Sequence, residues 1–300
     1  MKAAEKWFSL SGVSLKVVCV RVLVLLLFSC LSCSAPALAE GPKLVREWDL
    51  NLRFESFDWQ EYGVAGVRNV RESGVLYGLE GAALLNLYQQ NLLLKLDGKL
   101  FGSVVDYRGH TQIDTAHPNL SERPVNTDVT YVGSDFFVDL GWNFPHESFS
   151  FEPFGGVGYR WWLRGLQDST ALDTDNVPFS TSGYTEHWQS VYGKMGVRAR
   201  YQYETQIALF TEGGAKYPFY TGNTVDFVGT GPVTVQPGGR WSGFAEAGMT
   251  YRHLRFALSY EGFRYSQSPL VPVTLQSGPG FLYQPKSSSD LFGLNVGWSF

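Results

Sequence analysis

Thiols are missing from almost the whole chain. The only cysteines, Cys19, Cys30 and Cys33, sit near the start, so no disulfide can staple the remaining sequence. Charge is scarce too: Asp, Glu, Lys and Arg make up 17% of the residues, against about 25% in ordinary soluble domains. A formal net charge of -4 argues against nucleic acid, which requires a basic face. The five histidines are scattered, without paired ligand spacing, so neither a metal site nor a cofactor motif is read from them. Long apolar runs are also lacking. The strongest, Val22 to Phe28, is too short to cross a bilayer as a helix.

That run has another reading. Lys2, Lys6, Lys16 and Arg21 precede it, and Ala37-Leu38-Ala39 follows as a small-x-small cleavage site. Residues 1–39 therefore read as an export signal cut after Ala39, leaving 40–300 as one domain. Removing four bases and one acid takes the formal charge from -4 to about -7. All three cysteines leave with the signal.

Glycine and aromatics are what the chain has in plenty: Gly 33, Phe 21, Tyr 16 and Trp 9, a mixture suited to short, closely packed strands. Trp48, Leu50, Leu52 and Phe54 alternate with Asp49, Asn51, Arg53 and Glu55, which is the period of a half-buried strand. The pattern recurs to give ten strands, ending in Phe292, Leu294, Val296, Trp298 and Phe300. A miscount in 62–80 or 266–288 would make the number eight or twelve. Tight connections near 88–91, 145–148, 202–205 and 252–253 alternate with long ones near 62–75, 106–129, 165–186, 218–239 and 266–288. In an antiparallel meander this sorts every short turn, and both strand termini, to one end.

Charges occupy only one of the two faces. They include Glu80, Lys95, Asp97, Lys99, Glu152, Arg160, Lys194, Arg198, Glu212, Lys216, Glu246 and Glu261, whereas the opposite face carries none in mid-strand. Periodicity alone does not say which face is inward. The sorted loops and the export signal favour an inverted barrel, apolar toward lipid and charged toward the lumen. The expected fold is all-β: a closed, antiparallel, up-and-down transmembrane β-barrel whose last strand pairs with its first.

Aromatics support two belts unequally. Trp48, Phe144, Phe151, Tyr201, Tyr251, Trp298 and Phe300 share the apolar parity at the short-turn end. At the other end Trp161, Tyr217 and Trp241 keep that parity while Trp59, Tyr107, Tyr131 and Trp188 fall on the charged one, so the second girdle is weaker unless bulges shift the register. With its signal, even strand number, sorted loops and final Phe300, the chain resembles Gram-negative outer-membrane β-barrel proteins. That resemblance implies an outer-membrane location with outer-membrane lipid and lipopolysaccharide as surroundings. It also implies recognition of Trp298 and Phe300 by the barrel assembly machinery.

For function, the inward acids and bases are equal in number, which suggests a ladder of ion pairs rather than a lumen selective for one sign of charge. The leading expectation is a non-enzymatic barrel, structural, in surface contact or a minor pore; a small non-selective channel is one alternative. The other is an outer-membrane enzyme. Omptin-type proteases resemble this chain in strand number and use an Asp-x-His element, which is absent here; a lipid-modifying hydrolase would need a Ser–His pair, for which no motif is present. Fragments of an acid/base pair are His110 with Asp106 and Asp114, and Glu186 with His187.

Overall fold

The computed structural model describes residues 44–63, 66–88, 91–111, 118–227, 231–275 and 278–300. The export signal with its three cysteines, and Asp114, lie outside the described residues. Ten antiparallel strands close into a barrel: β1 (Val45–Tyr62), β2 (Arg68–Tyr88), β3 (Leu92–His110), β4 (Pro124–Trp142), β5 (Phe149–Leu166), β6 (Thr185–Glu204), β7 (Ile207–Phe227), β8 (Ser242–Tyr251), β9 (Leu254–Tyr265) and β10 (Lys286–Ser299). Each pairs with its sequence neighbour, and β10 returns to β1 in unbroken register from Asp49–Ser299 to Tyr62–Lys286. The final residue is held on both sides of its peptide: Phe300 N donates to Trp48 O at 2.9 Å, and its ring stacks on Trp48 at 3.8 Å.

Inside and outside follow the alternation. Along β1, Leu52 and Phe54 are 50% and 43% exposed, while the intervening Arg53 and the next residue, Glu55, are 9% and 1% exposed. The apolar parity therefore faces outward and the charged parity inward. The short-turn aromatic belt is also outward, since Trp48, Phe144, Phe151, Tyr201, Tyr251, Trp298 and Phe300 are all exposed.

Two expectations change. The connection near 62–75 is short, because β1 runs to Tyr62 and β2 begins at Arg68. Strands of 18 to 21 residues on the β1–β7 side reach well past the roughly 9–11 residues that cross a bilayer. Beyond the apolar band their outward side chains turn polar, which hides the alternation from a hydropathy reading. The second change concerns the loop-end girdle. Trp59, Tyr107, Tyr131 and Trp188 are not shifted outward by bulges; they are 2%, 6%, 2% and 0% exposed inside the barrel. The register around Trp59 contains no shift on its β10 side, so its inward parity is kept.

Above the wall rise three hairpins: Ser169–Leu172 with Pro178–Thr181, Gly231–Val235 paired onto the end of β7, and Val271–Leu275 with Gly278–Leu282. At the other end the turns are tight, with Glu147 and Arg252 in the left-handed region at φ 49° and 57°.

Candidate functional site

Among the described residues, the lumen is where the fold gathers chemically active side chains from all ten strands. Toward the short turns it is a lattice of opposite charges. Arg198 lies over the Phe154 ring at 3.7 Å and reaches three carboxylates: Asp139 at 2.9 Å, Glu152 at 2.7 Å and Glu212 at 2.8 Å. Lys194 and Lys95 also converge on Glu212, at 3.1 Å and 3.4 Å. Further round, Arg255 bonds Glu246 at 2.5 Å, and Arg53 joins Glu80 and Glu55. Lys99 spans Glu55 at 3.0 Å and Glu261 at 3.8 Å, and Lys216 takes Glu261 at 2.7 Å.

Asp97 makes no ion pair among the described residues; it lines a cavity of about 80 Å³ between these groups. A second cavity of about 120 Å³ lies beside Arg198 and Arg255, and a third of about 370 Å³ opens at the short-turn mouth between Glu47, Arg200 and Gln202. This half of the lumen has room for water beside its charges.

Toward the loops the interior becomes dry and aromatic. Trp162 stacks on Trp188 at 5.2 Å, Trp59 meets Trp188 edge-on at 5.3 Å, and Tyr265 lies 5.9 Å from Trp188. Arg160 fills the level beneath, its guanidinium 4.4 Å from the Phe263 ring and 4.9 Å from Phe101, with Asp135 at 4.0 Å. Glycine makes room for these rings: a methyl on Gly133 would lie 2.5 Å from Phe101, and one on Gly158 would lie 2.2 Å from Tyr192.

At the centre of this plug stands Arg164, 2% exposed, facing three glutamates. It bonds Glu72 through Nε at 2.9 Å and Glu186 at 2.6 Å, and lies 3.8 Å from Glu61. Neutral donors complete the carboxylates. Trp59 Nε1 donates to Glu61 at 3.0 Å, Trp188 Nε1 to Glu186 at 2.7 Å, and the Tyr131 hydroxyl to Glu72. Asn223 donates to Glu186 at 3.2 Å, and Gln284, from the last connection, donates to Glu61 at 3.1 Å and so covers the plug from above.

The acid/base fragments named from sequence are not brought together. Glu186 points inward to Arg164, whereas His187, one residue later, projects from the outer face, as neighbouring strand residues must. Asp106 and His110 both project outward from β3, separated by four residues, or roughly 13 Å of strand. The His110 ring lies 3.3 Å from Asn69 O rather than beside a carboxylate among the described residues. Among the described residues no group of three His, Cys, Asp or Glu could hold a metal ion. Glu61, Glu72 and Trp162 were missed as site residues, although the parity that assigned Arg53 and Glu55 to the lumen continues to Glu61 without interruption.

No curated protein matches the chain. Among solved structures, the Escherichia coli outer membrane protease OmpT is similar with a TM-score of 0.57 at 10% identity, over 88% of this chain and 99% of that one. The translocator domain of the Neisseria meningitidis autotransporter NalP is similar with a TM-score of 0.42 at 10% identity, over 94% and 96%. The profile of the autotransporter β-domain matches residues 77–261, from the middle of β2 into β9. With the inverted barrel wall and the charged lumen, that match over more than half of the chain decides the assignment: this outer-membrane β-barrel belongs to the autotransporter β-domain family.

Proposed function

We propose that this barrel is a closed, non-enzymatic scaffold that holds its loop-end hairpins outside the cell. One observation carries the reading: the plug of Trp59, Trp162, Trp188 and Tyr265 around Arg164 is 0 to 3% exposed, so its side chains occupy the cross-section and exclude water. The short-turn cavities stop below it. Long loops outside and short turns in the periplasm are the arrangement expected of outer-membrane barrels. In the same reading the signal is removed after Ala39, and the assembly machinery reads Trp298 and Phe300 on the outer face of β10.

The hairpins supply surfaces for contact. Phe281 and Leu172 are 68% and 49% exposed on them, well away from the lipid-facing wall. A protease reading draws no support from the fold likeness to OmpT, which at 10% identity concerns architecture alone, and the separation of Glu186 from His187 speaks against that pair as a catalytic dyad. The refolded protein in a planar bilayer is expected to carry no steady current. Sustained open-channel conductance of the wild type would overturn the closed-scaffold reading in favour of a minor pore.

A further inference from the structure

The three glutamates of the plug do not share its guanidinium equally. Glu72 and Glu186 each bond Arg164 directly, at 2.9 Å through Nε and at 2.6 Å. Glu61 is 3.8 Å away, and the donors it has are neutral: Trp59 Nε1 at 3.0 Å and Gln284 Nε2 at 3.1 Å, both on Oε1. Among the described residues no donor reaches its other oxygen, Oε2. Ser287, which the β1–β10 register sets opposite Glu61, is 1% exposed and keeps its hydroxyl without a hydrogen-bond partner there. Two carboxylates on one guanidinium already leave a dry cluster with an excess negative charge, and ionising the third would double it.

No further cation faces Glu61. Around it stand Arg164 on β5, Glu72 on β2, Glu186 on β6, and the phenols Tyr131, Tyr107 and Tyr265 on β4, β3 and β9, with Tyr184 just ahead of β6. β7 and the last connection offer the amides Asn223 and Gln284, and Arg160 lies a level lower, toward Asp135. Counted from the belt residue Trp48, the roughly 9–11 residues that cross a bilayer end near Asp58, so Glu61 stands on β1 beyond the membrane-spanning segment. Burial raises its carboxyl above the ordinary glutamate value; Arg164 opposes the rise, and Glu186 and Glu72 add to it. Beneath Glu61 lie the packed rings of Trp59 and Trp188, so its route to water is upward, through Gln284.

Gln284 also closes the neck of the last hairpin. Ser268 N donates to Gln284 O at 3.0 Å, Gln284 N donates to Ser268 Oγ at 2.9 Å, and Asn223 Nδ2 donates to Gln284 Oε1 at 3.0 Å. Beyond that neck Val271–Leu275 and Gly278–Leu282 form a sheet of their own. We infer that Glu61 carries the exchangeable proton of the plug and that its contact with Gln284 is a latch on the last hairpin, closed in acid and released as pH rises. The step is a proton transfer alone: the carboxyl O–H breaks, water takes the proton, and the carboxylate left behind gains hydration by displacing Gln284. Because the latched state binds one proton more than the released state, the latch weakens with rising pH. Each unit by which the latched carboxyl lies above its ordinary value is a ten-fold change in the ratio of latched to released hairpin.

The test places one thiol by Thr274→Cys in the mature chain, residues 40–300, which holds no cysteine of its own. A spin label there, on barrel refolded in vesicles, is followed from about pH 4, the ordinary glutamate range, to about pH 9. Its mobility should rise with pH in the otherwise wild-type barrel, stay low throughout in Glu61→Gln, and be high throughout in Gln284→Ala. Glu147→Gln, in a tight turn at the opposite end, should keep the wild-type transition, and a heat-resistant compact band on gels reports that each variant has folded. The infrared band of a protonated carboxyl should fade over the same pH range in the wild type and be missing from the Glu61→Gln spectrum. A wild-type label whose mobility ignores pH would overturn the inference whatever the variants do; so would the same transition in folded Glu61→Gln. The closed-scaffold reading is judged separately: steady conductance with the transition intact sinks that reading and leaves the latch standing.

Discussion

The two halves of the lumen keep buried charge by different means. In the half toward the short turns, carboxylates are answered by cations: Glu212 alone collects Lys95, Lys194 and Arg198. These side chains keep 13 to 24% of their exposure beside the cavities. In the plug a single guanidinium faces three glutamates, the exposures fall to between 0 and 9%, and indole, phenol and amide donors do the work of the missing cations. Countercharge with water tolerates imperfect geometry. A dry cluster does not, since every acceptor left without a donor costs its full desolvation.

The most severe way to break this contrast is Arg164→Ala, which leaves three carboxylates without their cation in a dry site. It should lower the unfolding free energy in urea, followed in detergent, by about 3–5 kcal/mol; Arg198→Ala, beside cavities that admit water, should lose visibly less. Equal losses would mean that hydration does not distinguish the halves. Trp188→Ala, removing the ring that stacks on Trp162, should cost about 3–5 kcal/mol by cavity formation and should raise bilayer conductance above that of the wild type.

The outer wall gives the next comparison. Leu140→Arg, 50% exposed toward lipid, should lower stability in vesicles by roughly 2–4 kcal/mol. The neighbouring Asp139 is instead a lumen partner of Arg198, so Asp139→Asn should be felt by Arg198 and not by the lipid. In the assay, thinning the bilayer should ease the first substitution and leave the second unchanged. The smallest effect is expected at Asp58→Asn, where loss of an exposed pair with Arg71 should change stability by less than about 1 kcal/mol and vanish at high salt.

Much of the wall was legible in the chain. Alternation from Trp48 to Glu55 assigns two faces, and the sorting of short and long connections turns a sheet into a meander with two distinct ends. The inward placement of the charged residues followed from parity alone, because side chains on a strand alternate regardless of what they meet, but their pairing did not, since Asp97 makes no ion pair among the described residues. The loop-end reading failed for a related reason. Trp59 and Trp188 were weighed as girdle residues because aromatics are expected at membrane interfaces, although their parity already pointed inward. Past the bilayer both faces of a strand become polar or mixed, so hydropathy no longer marks where the strand ends, and β1 and β2 ran on to Tyr62 and Arg68 unseen.

What no single strand could specify was partnership. Arg164 meets Glu72 across 92 positions of sequence and Glu186 across 22, and Gln284 reaches Glu61 across 223. Closure brings these groups together, since the shear of ten tilted strands sets which inward residues share a level. Local alternation, a property of the pleat, was written residue by residue. The choice between a charged, hydrated half and a dry aromatic plug was made only when the barrel closed, because the space left at each level depends on every strand at once.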